Sequence, residues 1–214
     1  MNNSRRRFDS PDTLLYFVKY PEPGKVKTRL ARSVGQERAA ELYRELAEKN
    51  LKLLREKMPG TVADFSIILA CEPANKIEQF RDWLGRDFEY WPQRGEGLGE
   101  RLRAAFQQAF DEGASKVLAL GSDTLGIKAE ILRRAFDALK AHDVVIGPAR
   151  DGGYYLIGAS LARPSLFKDI PWSSPEVFST TLERVRESNL SYYLLPELED
   201  LDEVKNLERR KILL

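Results

Sequence analysis

Short apolar runs and stretches of helical period alternate along the chain. Residues 13–20 are β-branched and aromatic enough for a buried strand, and residues 62–71 repeat that character. Between them, residues 36–58 place Ala39, Leu42, Tyr43, Leu46, Ala47, Leu51, Leu54 and Met58 on one stripe, which predicts a long amphipathic helix. A short helix over 75–84 and a strand over 88–92 follow. The next helix, over 98–113, carries Leu98, Leu102, Ala105, Phe106, Ala109 and Phe110 at spacings of three and four, and Gly113 stops it. Strands are predicted over 116–121, 144–147, 154–158 and 191–195. Helices are predicted over 128–140, with Ile131, Ala135 and Leu139 inward, over 176–187, and near 202–210. Ser173-Ser174-Pro175-Glu176 has capping-box spacing and a helix-initiating proline, which marks the start of the 176–187 helix.

Strands that alternate with helices form βαβ units, so the chain reads as α/β: a three-layer αβα sandwich around a mostly parallel mixed sheet. Residues 1–12 are polar and Arg-rich and read as a loose N-terminal tail. No internal repeat, low-complexity stretch or Gly/Ser linker divides residues 13–214, which are read as a single domain. Ligands in such sheets bind at the carboxyl ends of strands. Residues that carry chemistry should therefore sit just after a strand.

Composition narrows the function without naming it. With 34 Lys and Arg against 33 Asp and Glu the net charge is +1, which excludes bulk binding to nucleic acid or to an anionic membrane surface. The 43% hydrophobic content excludes intrinsic disorder. The longest apolar runs, at 14–18 and 66–70, fall far short of the roughly 20 residues that span a bilayer. Arg5-Arg6-Arg7 leads into Phe8-Asp9-Ser10-Pro11-Asp12 rather than an apolar stretch, so no signal peptide is expected. The single Cys71 excludes an intramolecular disulfide and a multi-cysteine metal site. A cytoplasmic location is the default expectation.

Four segments pass the strand-end criterion. Residues 19–32 hold five cations (Lys19, Lys25, Lys27, Arg29, Arg32) and one acid (Glu22), a net of +4. Pro21, Pro23 and Gly24 fix the backbone, so the cations are expected to be gathered without a helix to spread them, as suits a diphosphate. A Walker A loop would need glycine five positions before Gly24, where Lys19 stands. Gln93-Arg94-Gly95-Glu96-Gly97-Leu98-Gly99 places three glycines before the 98–113 helix, which either lets a ligand approach the helix amides or forms a plain flexible loop. Asp123 in Gly121-Ser122-Asp123-Thr124 is either a carboxylate for a divalent cation or a helix N-cap. Asp151-Gly152-Gly153-Tyr154 reads as a ligand-facing turn or as an ordinary hairpin signal.

Residues 196–208 count six acids (Glu197, Glu199, Asp200, Asp202, Glu203, Glu208) and one base (Lys205), a net of −5. Some of these decorate a helix N-terminus, and Asp200 and Asp202 can still aim a carboxylate into the site. His142 lies on the side of the sheet opposite the ligand crevice and reads as a surface loop residue. Cys71 reads as a small buried residue. Neither supports a Cys–His nucleophile pair.

Together these segments resemble the GT-A superfamily of nucleotide-diphospho-sugar transferases, and within it the DUF2064 branch associated with arsenosugar biosynthesis. The likeness is carried by Phe17-Val18-Lys19-Tyr20-Pro21-Glu22-Pro23-Gly24-Lys25-Val26-Lys27-Thr28-Arg29-Leu30, Gly97-Leu98-Gly99-Glu100-Arg101, Gly121-Ser122-Asp123, Asp151-Gly152-Gly153-Tyr154-Tyr155-Leu156-Ile157-Gly158 and Pro171-Trp172-Ser173. The Asp200–Asp202 ending extends it over nearly the whole chain. It implies a GT-A fold and donor phosphates on Lys19, Lys25, Lys27 and Arg29. It places the nucleoside near Gln93, Gly97, Leu98 and Gly99, and the acceptor at Asp151, Gly152, Gly153, Tyr154 and Trp172. Asp123, with Asp202 or Asp200, would hold Mg²⁺ or Mn²⁺, and Asp123, Asp151 and Lys27 would carry catalysis. Many superfamily members have Asp-x-Asp where this chain has Gly121-Ser122-Asp123, and Leu125 stands where relatives commonly carry proline.

The expected activity is transfer of a sugar from a nucleotide-diphosphate donor to a small acceptor. Two alternatives stay open: a nucleotidyltransferase joining an NTP to a phosphorylated small molecule, and a non-catalytic nucleotide-binding module. The generic nucleotidyltransferase start, a Gly-Gly run followed by Arg-Met, is absent.

Overall fold

A computed structural model of the chain describes residues 11–56 and 65–202. A seven-stranded sheet runs β3-β2-β1-β4-β7-β6-β8, built from β1 (Asp12–Lys19), β2 (Phe65–Glu72), β3 (Glu89–Pro92), β4 (Lys116–Gly121), β6 (Val144–Pro148), β7 (Tyr154–Ala159) and β8 (Tyr192–Leu194). Neighbours pair in parallel except at β7, which is antiparallel to both β4 and β6. The expectation of a mostly parallel mixed sheet is met. Asp12, read from sequence as tail, already pairs with Phe65 and Lys116 in β1.

Alternation along β1 builds the two outer layers. Leu14, Tyr16 and Val18 face one side, where they pack with Ala47, Leu51 and Leu54 of α2 (Gln36–Glu56), Phe80 of α3 (Ile77–Leu84) and Leu132, Ala135 and Phe136 of α5 (Ala129–Ala138). Leu15 faces the other, against Leu102, Ala105, Phe106 and Ala109 of α4 (Leu98–Asp111) and Val185 of α6 (Val177–Glu187). The α2 stripe expected from the periodicity is buried from Ala39 to Leu54, and Met58 lies outside the described residues. Leu98 departs from its stripe, being 45% exposed at the head of α4.

Three local expectations are corrected. The basic segment does contain a helix, α1 (Thr28–Val34), whose only buried residue is Leu30. The capping box does not form, because Glu176 rather than a serine is the N-cap of α6, and Ser174 Oγ accepts instead from Glu176 N at 3.3 Å. The acidic segment after β8 is not simply a helix N-terminus: β9 (Glu199–Asp200) pairs antiparallel with β5 (Thr124–Leu125), just past the end of β4. The helix predicted near 202–210 lies almost wholly outside the described residues. No helix among the described residues is long and apolar enough to cross a membrane.

Candidate active site

The parallel register sets the ends of β1, β2 and β4 side by side, with Lys19 opposite Glu72 and Phe17 opposite Gly121. The loops that follow these strands meet along one sheet edge. The 20–27 segment turns on a chain of backbone bonds, Glu22 N to Tyr20 O and Lys25 N to Glu22 O, and delivers Lys27 as the N-cap of α1. Lys27 holds the left-handed backbone region at φ 47°, uncommon for a residue with a side chain.

The Lys27 side chain is 8% exposed and its ammonium donates to two carboxylates, Asp123 Oδ2 and, at 2.9 Å, Asp202 Oδ1. Arg29 reaches the other oxygen of Asp202 at 3.6 Å. Burial alone would strip the Lys27 proton, but Asp123 and Asp202 outweigh it and hold the ammonium above its ordinary pKa. Burial likewise opposes ionisation of Asp123, and the Lys27 ammonium outweighs it, so the carboxyl sits below its ordinary range. Asp200 Oδ1 is buried without a hydrogen bond, and burial, followed by the charge of Asp123, outweighs the Lys27 ammonium and pushes its pKa up to about 7.

Asp202 arrives through the β5–β9 ladder, which is extended by Leu201 N donating to Asp123 O at 3.1 Å. The turn that carries Asp123 is fixed from beneath by α2. Asn50 Nδ2 donates to the carbonyls of Ser122 and Thr124 at 3.0 and 2.9 Å, and the Tyr43 hydroxyl lies 2.8 Å from Ser122 Oγ. Lys19 N donates to the same Tyr43 oxygen at 2.8 Å, so one phenol joins the ends of β1 and β4. Periodicity shows Tyr43 only as part of a core stripe, and the sequence signal for Asn50 is a polar residue one turn after Leu46 on the edge of that stripe.

Above this floor opens a cleft of about 390 Å³ lined by Lys19, Lys25, Lys27, Arg29, Asp123 and Asp202, with Val26, Thr28, Tyr43 and Ser173. The four expected phosphate cations and both expected metal carboxylates thus share one cavity. None of the expected nucleoside residues is in its lining, and Gly99 lines a separate cleft with Phe167 and Lys168. The Gln93 amide nitrogen is spent on Ala70 O at 2.9 Å, and Gly99 packs under Trp172, where a Cβ would stand 2.5 Å from the indole nitrogen. The glycine loop is tied to the cationic one through Glu72, which pairs with Arg101 of α4 and with Lys19 at 3.4 Å.

The expected acceptor residues form a separate cluster. Residues 149–153 are the hairpin between β6 and β7, and Asp151 Oδ1 accepts from Gly153 N at 2.9 Å, so the turn expected of this segment forms. Gly152 has φ +89° and its backbone abuts Pro175, where a Cβ would meet the carbonyl oxygen at 2.1 Å. Tyr154 meets Trp172 edge-on at 6.2 Å between ring centroids and sits behind it. Arg150 pairs with Glu197 at 3.2 Å and with Glu199, which fastens the hairpin to the segment bearing Asp202. His142 lies away from the cleft, its Nδ1 3.1 Å from Ala138 O, and Cys71 is fully buried, its thiol pKa raised by burial.

A family model for an uncharacterized protein conserved in bacteria, DUF2064, matches residues 60–174, more than half of the chain. The chain belongs to the DUF2064 family. That match includes the Asp123 turn and the Asp151 hairpin; Lys27 and Asp202 fall outside it. The crystal structure of a Desulfovibrio desulfuricans protein, provisionally named a nucleotide-diphospho-sugar transferase, superposes on this DUF2064 chain with a TM-score of 0.84 at 40% identity, covering 94% of this chain and 87% of that one. Two remoter structures share the fold. One is 4-diphosphocytidyl-2C-methyl-D-erythritol synthase from Anaerococcus prevotii (TM-score 0.58, 12% identity, 94% and 96% covered). The other is a Mycobacterium tuberculosis protein in complex with manganese (TM-score 0.54, 16% identity, 94% and 98% covered). The architecture is therefore that of nucleotide-diphospho-sugar transferases, as the sequence motifs suggested. No protein of curated function matches the chain.

Proposed function

We propose that this protein transfers a sugar from a nucleotide-diphosphate donor to a small acceptor with the help of a divalent metal. The observation that carries the reading is the single cleft in which Lys19, Lys25, Lys27 and Arg29 face Asp123 and Asp202. The 40%-identical protein named a nucleotide-diphospho-sugar transferase supports the same class.

The residues present fit a metal. Asp123 and Asp202 both aim an oxygen at one cation, the Lys27 ammonium, so the position between them already accepts positive charge. Among the described residues no three His, Cys, Asp or Glu side chains gather as a metal cage. Two carboxylates plus substrate phosphates suit Mg²⁺ or Mn²⁺, which seldom occupy all-protein cages. When bound, the metal would neutralise charge on the departing diphosphate. Lys19, Lys25 and Arg29 would bind that diphosphate and stabilise it as the bond from the anomeric carbon breaks. Asp151 would take the proton of the acceptor hydroxyl as its oxygen attacks that carbon. Ser173, on the lining, and Trp172 behind it would bound the acceptor side.

The test is turnover of UDP-, GDP-, ADP-, CDP- and TDP-sugars by the wild type, Lys27→Ala and Asp123→Ala, with folding checked by circular dichroism. Each variant should lose at least about a hundredfold, the usual scale for an electrostatic group at the reacting charge. Unchanged turnover in both refutes the reading. The same fold serves the 4-diphosphocytidyl-2C-methyl-D-erythritol synthase, so each NTP with a phosphorylated small molecule belongs in the same screen, read as pyrophosphate release.

A further inference from the structure

Lys27 faces two kinds of partner. Its ammonium bonds Asp123 and Asp202 together, and it lines the cleft with Lys19, Lys25 and Arg29, the cations that face a donor's phosphates. A divalent cation shared by those two carboxylates would take the position between them that the Lys27 ammonium holds. Two positive groups at bonding distance from the same oxygens repel strongly where water is scarce. The lysine arm is a flexible four-carbon stem, so its head can leave the carboxylates while the backbone stays at the head of α1. Arg29, also paired with Asp202, is 61% exposed and leaves the buried position to Lys27.

We propose that Lys27 is an internal placeholder for the metal: the entering cation displaces its ammonium from Asp123 and Asp202 into the cleft, where it engages the diphosphate. The proposal rests on the reading of Asp123 and Asp202 as metal carboxylates given above. Metal alone must break two ion pairs and leaves the ammonium without a partner. Metal with a nucleoside diphosphate offers that ammonium a phosphate. Each ligand therefore strengthens the binding of the other, and linkage makes the effect reciprocal. Direct metal–phosphate bonds would also couple the two, so the diagnostic quantity is metal affinity without nucleotide.

The experiment is Mn²⁺ titration followed by the electron paramagnetic resonance of free Mn²⁺, on wild type, Lys27→Met and Asp123→Asn, with thermal melts to confirm folding. Lys27→Met keeps the stem and removes the competing charge. It should bind Mn²⁺ about tenfold or more tightly than wild type, within the usual range of coupling between sites, while Asp123→Asn abolishes binding. Equal or weaker binding by Lys27→Met, still abolished by Asp123→Asn, overturns the placeholder and leaves the metal site standing. No Mn²⁺ binding by any of the three overturns both. A second measurement uses the wild type alone: pulse acetylation with an N-hydroxysuccinimide ester, with and without MnCl₂, read by peptide mass spectrometry. Labelling of Lys27 should rise severalfold on metal addition, with Lys19 and Lys25 unchanged. Unaltered labelling of Lys27 overturns the proposal whatever the fate of the variant.

Discussion

Replacing Asp200 by asparagine should stabilise the protein, and the gain should grow with pH. Its carboxyl titrates at about 7 in the folded chain against 3.8 ordinarily, because burial and the charge of Asp123 penalise the anion. A raised folded pKa means that the folded state holds the proton longer. Stability is fully present below about pH 4 and falls as pH rises through 7, by about 1.4 kcal/mol per pH unit between the two values. From about pH 5 to pH 8 the loss comes to about 2 to 3 kcal/mol. Asparagine keeps the shape of the protonated carboxyl and cannot ionise. Unfolding of wild type and Asp200→Asn, measured in urea at each pH in EDTA, cancels the groups that titrate in both. The variant's advantage should widen by about 2 to 3 kcal/mol over that range, or about 5 to 10 °C in melting temperature for a chain of this size. A gap that stays constant, or narrows toward high pH, refutes the account of Asp200 as an acid whose burial outweighs its nearby cation.

Gly152→Ala puts a methyl 2.1 Å from the Pro175 carbonyl oxygen at a backbone φ of +89°; a loss of about 3 kcal/mol is expected in denaturant unfolding, and a loss under about 1 kcal/mol would contradict the tight approach. Asn50→Leu keeps the branched shape but removes the Asn50 donor from the Thr124 carbonyl and from the Ser122 carbonyl, which retains only the Tyr16 hydroxyl at 3.4 Å. Stripping the Asn50 donor in this way should cost about 1 to 3 kcal/mol in thermal or denaturant unfolding, and a melting curve matching wild type would refute the bracing role of Asn50.

The elements that periodicity could show were those that bury a whole face. The α2 stripe and the runs that became β1 and β4 are apolar because helices cover both sides of the sheet, and they appear where predicted. Helix α1 was hidden because its seven residues bury only Leu30 fully, with Ala31 and Val34 beside it, a stripe too short to read among its cations. The two-residue strands β5 and β9 are too short for any period, and only a long-range pairing creates them. The site divides along the same line. Charge clustering pointed to Lys27, Asp123 and Asp202, since clustered charge survives in one dimension. That Lys27 turns toward the carboxylates, and that Asn50 and Tyr43 brace the Asp123 turn, depends on partners brought together from distant parts of the chain.

The closure of the site by β9 also sets an order in time. Lys27 and Asp202 stand 175 positions apart in the chain. At synthesis rates of about 5 to 20 residues per second, about 9 to 35 s separate the emergence of the cationic loop from that of the strand that completes its counter-charge. During that interval Glu72 is already present to pair Lys19 and Asp123 to pair Lys27, and the Asp202 half of the Lys27 counter-charge is still to come. The two-residue ladder between β5 and β9 is thus the step that brings the last carboxylate onto Lys27 and closes the charged cleft.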